Sequence, residues 1–284
     1  MVELDSCMHT ANVWGPVRDV WRGRDLTFAL AWRDVRIRYA QSSLAILWAL
    51  LTPALTVLAG FAIDAAARAR GVTSDGRLSA VILTSVPWAF VTACLSSATT
   101  CVHSNGALVG KIAFPRVTLP LAAIVAQVPD ALVAGCAVTA WLILTHSAAA
   151  ISLVSIIVCL LILLVWTVAF CVLLSALGAL FRDVKYIVQV VLRFSVFTVP
   201  VLYTPDELGP RLGSLLALNP FSVPLLGLRL AVFRNHDLRF RLGSAGVELW
   251  VPSDLMWSAL AAVFGLVCAF WFFSRAEPLL ADAA

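Results

Sequence analysis

The nearest approach to a reactive motif in this sequence lies between Asn105 and Arg116, which reads Asn-Gly-Ala-Leu-Val-Gly-Lys-Ile-Ala-Phe-Pro-Arg. A phosphate-cradling loop needs four residues between its glycines and Ser or Thr after its Lys, so that successive backbone N–H groups close around the anion. Here three residues separate Gly106 from Gly110, and Ile112 follows Lys111. In that register the cradle does not close, so the chain is not expected to hold nucleotide itself. Histidines 9, 103, 146 and 236 are scattered, and the seven cysteines form no CxxC or other metal spacing, so no metal site is expected. Cys94, Cys101, Cys136, Cys159, Cys171 and Cys268 fall within apolar runs and read as small apolar fillers. Asp206-Glu207 is the only adjacent acidic pair, and no triad or usefully spaced carboxylate pair accompanies it. No catalytic residue is nominated, and the chain reads as a non-enzyme.

Two isolated charges interrupt apolar runs, Asp130 beside Pro129 and Arg193. An intramembrane acid costs a few kcal/mol when charged, so Asp130 is expected to face the bundle interior or to stay protonated. Two roles are open for it: a functional acid, or a cap for backbone N–H groups freed beside the proline. Arg193 stands about 9 Å into its run at about 1.5 Å per residue, within snorkelling reach of the inner surface. A pairing of Arg193 with Asp130 is one arrangement this allows.

The elements that carry these residues follow from composition. Of 284 residues 61% are hydrophobic and 13% charged, which excludes a soluble domain and predicts an all-α, polytopic membrane protein. The net charge of +4 is carried almost entirely by Arg, with Lys only at 111 and 185, and offers no basic stripe for nucleic acid. Residues 1–43 form a tail and an amphipathic interfacial helix with Arg18, Arg22, Arg24, Arg33, Arg36 and Arg38. On a helical wheel Phe28, Trp32, Val35 and Tyr39 share one apolar stripe and Leu26, Leu30 and Ile37 a second. One stripe suits the headgroup layer and the other suits protein, or the segment is a plain anchor. Six arginines before the first span place the N-terminus inside.

Six spans are predicted: Leu44 to Ile63, Leu78 to Val102, Val117 to Thr145, Ile151 to Leu180, Ile187 to Tyr203 and Leu255 to Phe273. Ala65-Ala66-Ala67 imitates a signal cleavage site, but the 20-residue run before it exceeds the roughly 7–15 residues of a signal core, so the span is read as uncleaved. The domain boundaries are thus 1–43, 44–203 with an inner stretch 103–116, an outer loop 204–253, and 254–284 for the last span and an inner tail. In the outer loop, Leu212 to Leu218 and Phe221 to Phe233 are too short to cross and flank Asn219-Pro220, which predicts two short re-entrant or interfacial helices. Both termini are expected to be cytoplasmic.

Several patches together resemble the permease subunits of ABC type-2 exporters for O-antigen, capsular polysaccharide and teichoic acid. Arg33-Asp34, Arg38-Tyr39, Leu44, Trp48 and Pro53 are similar to the approach to the first span there, although Ala45 stands where that family usually has Gly. Asn105, Leu108, Lys111, Phe114-Pro115-Arg116 and Leu119-Pro120 resemble the family's coupling segment, which fits a cleft on the ATPase. Arg182-Asp183 and Pro200-Val201-Leu202-Tyr203 resemble the foot of the fourth span and the close of the fifth. Leu218-Asn219-Pro220 with Arg229 resembles the two short helices beside the exit, an outer gate.

The resemblance implies a homodimer in a bacterial cytoplasmic membrane that exports a lipid-linked glycan. Two copies of a separate ATPase subunit would hold ATP and Mg, docking on the inner stretch with Arg33 and Arg38 beside it. In that setting Trp48 and Trp88, on the spans that border the dimer-facing passage, and Tyr203 are expected to line the conduit. A drug or lipid permease of the same superfamily is the alternative. A membrane-embedded glycosyl- or acyltransferase would need acids or His clustered near one surface, and a secondary transporter would need matched halves with paired intramembrane acids.

Overall fold

The computed structural model describes residues 20–40, 45–69, 77–106, 114–144, 153–202, 219–233, 241–242, 247–248 and 252–282. In chain order the helices are α1 (Arg24–Ala40), α2 (Ala45–Ala69), α3 (Arg77–Ser104), α4 (Thr118–Val125), α5 (Val128–Leu144), α6 (Leu153–Leu180), α7 (Val184–Ser195), α8 (Ser222–Phe233) and α9 (Pro252–Asp282). Between α8 and α9 a two-residue antiparallel ladder pairs Arg241 with Glu248 and Leu242 with Val247. Four stretches among the described residues are long and apolar enough to cross a membrane: Leu78–Ser104, Thr118–Leu144, Leu153–Leu180 and Leu255–Glu277.

Helix α6 is the hub. It packs on α9, α3, α8 and α4. Its buried face is dominated by small side chains, Cys159, Thr167, Ala169, Cys171, Ser175, Ala176, Gly178 and Ala179. Lipid offers no hydrophobic drive between helices, so close backbone approach through small residues and dispersion must supply it. At Gly178 the approach is closest, because a Cβ there would stand 2.2 Å from the Thr99 carbonyl oxygen of α3. Hydroxyls along α3 and α6 satisfy themselves on their own helices, as Thr84 donates to the Ala80 carbonyl at 2.9 Å and Thr167 to that of Leu163 at 2.7 Å.

The third expected span is divided. Pro129 has no N–H and its ring crowds the Val125 carbonyl, and here α4 ends at Val125 and α5 restarts at Val128, whereas α2 and α3 run through Pro53 and Pro87 unbroken. The break turns through Ala126 and Gln127. The fifth expected span, Ile187 to Tyr203, differs from expectation. It is a 12-residue helix, Val184–Ser195, followed by turns through Val201. At about 1.5 Å per residue that helix covers about 18 Å of a hydrocarbon core of about 30 Å. Pro200 accounts for the stop, since it removes a donor and disfavours helix at Val199.

Helix α1 packs against α4, and the packed seam also departs from the wheel. Thr27, Leu30 and Ala31 are buried, with Asp34 and Arg38 continuing the line, whereas Phe28, Trp32 and Ile37 are exposed. The packed face takes Leu30 from the second apolar stripe, with Leu26 and Val35 partly buried against the same cluster, and adds the small residues Thr27 and Ala31 beside it. Of the cysteines in the apolar runs, Cys94, Cys101, Cys159 and Cys171 are buried, while Cys136 and Cys268 are exposed on the outside of the bundle.

The helix contact at Gly178 generates a test. Gly178→Ala should lower stability by about 1–3 kcal/mol through overpacking against backbone, read as thermal unfolding of the purified chain. Gly135→Ala, where nothing lies within 4 Å of the added Cβ, should be neutral or slightly stabilising.

Candidate functional site

Because Pro129 restarts the helix, Asp130 falls in the first turn of α5. Arg38 at the end of α1 places Nη1 2.5 Å from Asp130 Oδ2. Tyr39 donates its phenol hydrogen to the other carboxylate oxygen, Oδ1. Burial pushes the Tyr39 phenol up to about 12, with the hydrogen bond to Asp130 adding to the rise, so it remains a donor throughout the physiological range. Arg38 also donates to Gln127 Oε1 at 3.0 Å, and Gln127 Nε2 donates to Ser97 Oγ of α3 at 2.7 Å. One carboxylate and one glutamine therefore join α1, α3 and the α4–α5 break. Arg38 was expected beside the ATPase-coupling residues. Within the chain it pairs with Asp130, and the allowed Arg193–Asp130 pairing gives way to this one because α1 crosses the break directly.

A second set of contacts holds the inner stretch. Arg33 donates from Nη2 to Asp34 at 2.7 Å and to Asn105 Oδ1 at 2.6 Å, and Asn105 Nδ2 donates to the Cys101 carbonyl at 2.9 Å. At the far end of the stretch, Arg116 Nη1 donates to the Glu277 carbonyl of α9 at 2.6 Å. Phe114 packs on the cluster that includes Leu30, Val117, Leu119 and Phe273. The stretch is thus fastened at Asn105 to α1 and at Arg116 to α9. Leu108 and Lys111 lie outside the described residues. Beside the Asn105 contact, a polar cavity of about 190 Å³ is lined by Asp34, Arg38, Ser97, Asn105 and Gln127 among others.

Above it, a cavity of about 630 Å³ brings together Pro53 of α2, Thr92 and Ser96 of α3, Asp130 of α5, and Gln189 and Arg193 of α7. Asp130 and Arg193, the two interrupting charges, share this space without pairing to each other. Trp88 is not part of its lining. It is 5% exposed and packs edge-on against Phe221 with ring centroids 5.7 Å apart. The side chain of Trp48, and all of Tyr203 and Leu218, lie outside what is described.

Asn219 stays half-buried and its Oδ1 accepts from the Phe221 N–H at 3.1 Å, opening α8. From α8, Arg229 is 3% exposed and donates to the Val201 carbonyl and, at 3.5 Å, to Thr84 Oγ1. It ties the short helix to α3 and to the turns after α7, so α8 is packed into the bundle and is no surface loop. Sequence reasoning had no signal for Gln127 or Ser97, two ordinary polar residues whose partnership exists only in three dimensions.

The described residues form a helical bundle with four candidate membrane spans and a polar cavity beside the Arg38–Asp130 contact. The chain matches the ABC-2 type transporter family over residues 25–233, and it belongs to that family. It is 29% identical over 233 residues to the O-antigen export system permease protein RfbA of Myxococcus xanthus, covering 78% of this chain and 85% of that protein. Membership implies a transport component that works with a separate ATPase.

The clamp generates a double-mutant cycle. Arg38→Ala, Asp130→Ala and the pair, compared by thermal unfolding, should show a coupling of about 1–2 kcal/mol. That lies above the usual surface value because the carboxylate is three-quarters shielded and shared with Tyr39. Additive losses would remove the clamp.

Proposed function

We propose that this chain is the permease of an ATP-driven exporter that moves a lipid-linked polysaccharide across the bacterial cytoplasmic membrane. The carrying observation is the inner stretch 103–116, fastened at Asn105 to α1 and at Arg116 to α9. A partner pressing on that stretch would move α1 and α9 together, and α1 grips the cavity wall through Asp130. The similarity to a permease named for O-antigen export supports the glycan class.

In this reading ATP and Mg are held by two copies of the partner ATPase, docked around Asn105, Leu108, Lys111 and Phe114-Pro115-Arg116, with Arg33 positioning Asn105. The conduit forms between two copies of this chain. Exposed apolar rows support that arrangement: Leu47, Leu51, Leu55 and Leu58 on α2, and Ile187, Val190, Val191 and Phe194 on α7. Six passages result if α2 crosses and α7 with its following turns completes the fifth, leaving both termini inside. Trp48, Trp88 and Tyr203 are the candidates for the conduit lining between the two copies. Asn219-Pro220 and Arg229 would hold α8 as the outer gate, with Leu218 before it.

Deletion of the gene should abolish surface polysaccharide and accumulate lipid-linked glycan inside the cell. Complementation with Phe114→Ala plus Arg116→Ala should leave membrane insertion normal and restore little export, with about tenfold or greater loss. Unchanged surface glycan in the deletion strain would reject the substrate class and favour a drug or lipid in its place.

A further inference from the structure

A second cavity, of about 590 Å³, opens between the outer halves of α5 and α6 and is floored by α3 and α8. It is apolar almost throughout, with Leu132, Val138, Leu142, Leu160, Leu163 and Leu228 typical of its walls and Thr139 the only hydroxyl. Its rim faces outward: Leu132, Ile143 and Leu153 are each more than 60% exposed. Along α5 it runs from Val128 to Ile143, which is about 22 Å at about 1.5 Å per residue, longer than the roughly 15 Å of one hydrocarbon leaflet. Val86, Phe90 and Ala131 line both this groove and the polar cavity of Asp130 and Arg193. The two cavities therefore adjoin across these three side chains, one polar and the other apolar.

The charge at the polar end is specific. Both oxygens of Asp130 are engaged, by Arg38 and by Tyr39. Arg193 has no carboxylate partner among the described residues, which leaves one uncompensated positive charge beside Gln189, Thr92 and Ser96. We propose that this composite site binds one anionic glycerophospholipid, its phosphodiester on Arg193 and one acyl chain in the α5–α6 groove. Tail burial alone carries little preference, because the groove and the bilayer are equally apolar. Selectivity must come from the headgroup: a phosphodiester without a compensating ammonium matches the single free charge, and a zwitterionic headgroup brings a like charge towards Arg193. The occupant touches the same turn of α5 that α1 grips, so the lipid and the clamp meet at Asp130. The proposal does not depend on which substrate the permease carries.

The test uses the full chain extracted from membranes and exchanged into mixed vesicles of phosphatidylglycerol and phosphatidylcholine, with retained lipid counted by native mass spectrometry. The wild type should retain one phosphatidylglycerol per chain in preference to phosphatidylcholine. Arg193→Gln should reduce that preference about fivefold, the effect of one cation near an anionic headgroup. Gly135 lines the groove and has nothing within 4 Å of an added Cβ, so Gly135→Leu should fill the groove and reduce retention of both lipids while leaving thermal unfolding intact. Equal retention of the two lipids by the wild type would overturn the proposal, as would an unchanged preference in Arg193→Gln. A disulfide-linked dimer formed through Leu132→Cys, in a background with Cys136 and Cys268 replaced by Ser, would place a second copy in the groove and would equally overturn it.

Discussion

A carboxylate at the start of a membrane-embedded helix must be compensated, and in this protein the compensation comes from 92 residues away. Asp130 costs a few kcal/mol as an isolated charge in hydrocarbon, and Arg38 and Tyr39 remove that cost only if α1 lies across the α4–α5 break. The requirement fixes where the interfacial helix can sit. It does so with modest energy, since Arg38 and Asp130 both keep some contact with their surroundings. The packing of Leu30 and Ala31 on α4 supplies the adhesion, and the charge pair supplies the register.

From that register the contacts at the end of α3 and at the α4–α5 break follow. With α1 in place, Arg33 reaches Asn105 and Gln127 reaches Ser97, so the end of α3 and the break are held by one helix. Arg116 carries the fastening to the end of α9. The hub α6 packs on α9 and α3 through small residues, so the two helices that flank the stretch share one close-packed partner. The polar cavity lies on the other face of the same turn of α5, so the carboxylate that anchors α1 is also part of the cavity wall.

Much of this was legible in composition. The long apolar runs of α3, α6 and α9 were readable because length and absence of charge decide a membrane span with little help from tertiary context. The charged and proline-bearing stretches were less transparent. Asp130 stood out as an intramembrane acid, but spacing along the chain could not choose between Arg193 and Arg38, because the choice depends on where α1 crosses. Within one chain Trp88 packs edge-on against Phe221, a neighbour from a distant helix that spacing along the sequence could not reveal. The wheel of α1 showed the stripe from which Leu26 and Leu30 pack on the core, and missed that the small residues Thr27 and Ala31 beside it share the buried face. Pro200 was visible in the sequence, yet its effect on α7 was not, since a proline in a membrane helix is tolerated whenever neighbours satisfy the freed carbonyl.

The most direct test of the account is amide hydrogen exchange of α1 in lipid nanodiscs, comparing the wild type with Asp130→Asn. The clamp predicts that amides from Leu30 to Tyr39 are protected in the wild type and exchange about tenfold faster in the variant, while those of α6 are unchanged. Equal protection of α1 in the two proteins would contradict it, and α1 would then be held by its contact with α4 alone.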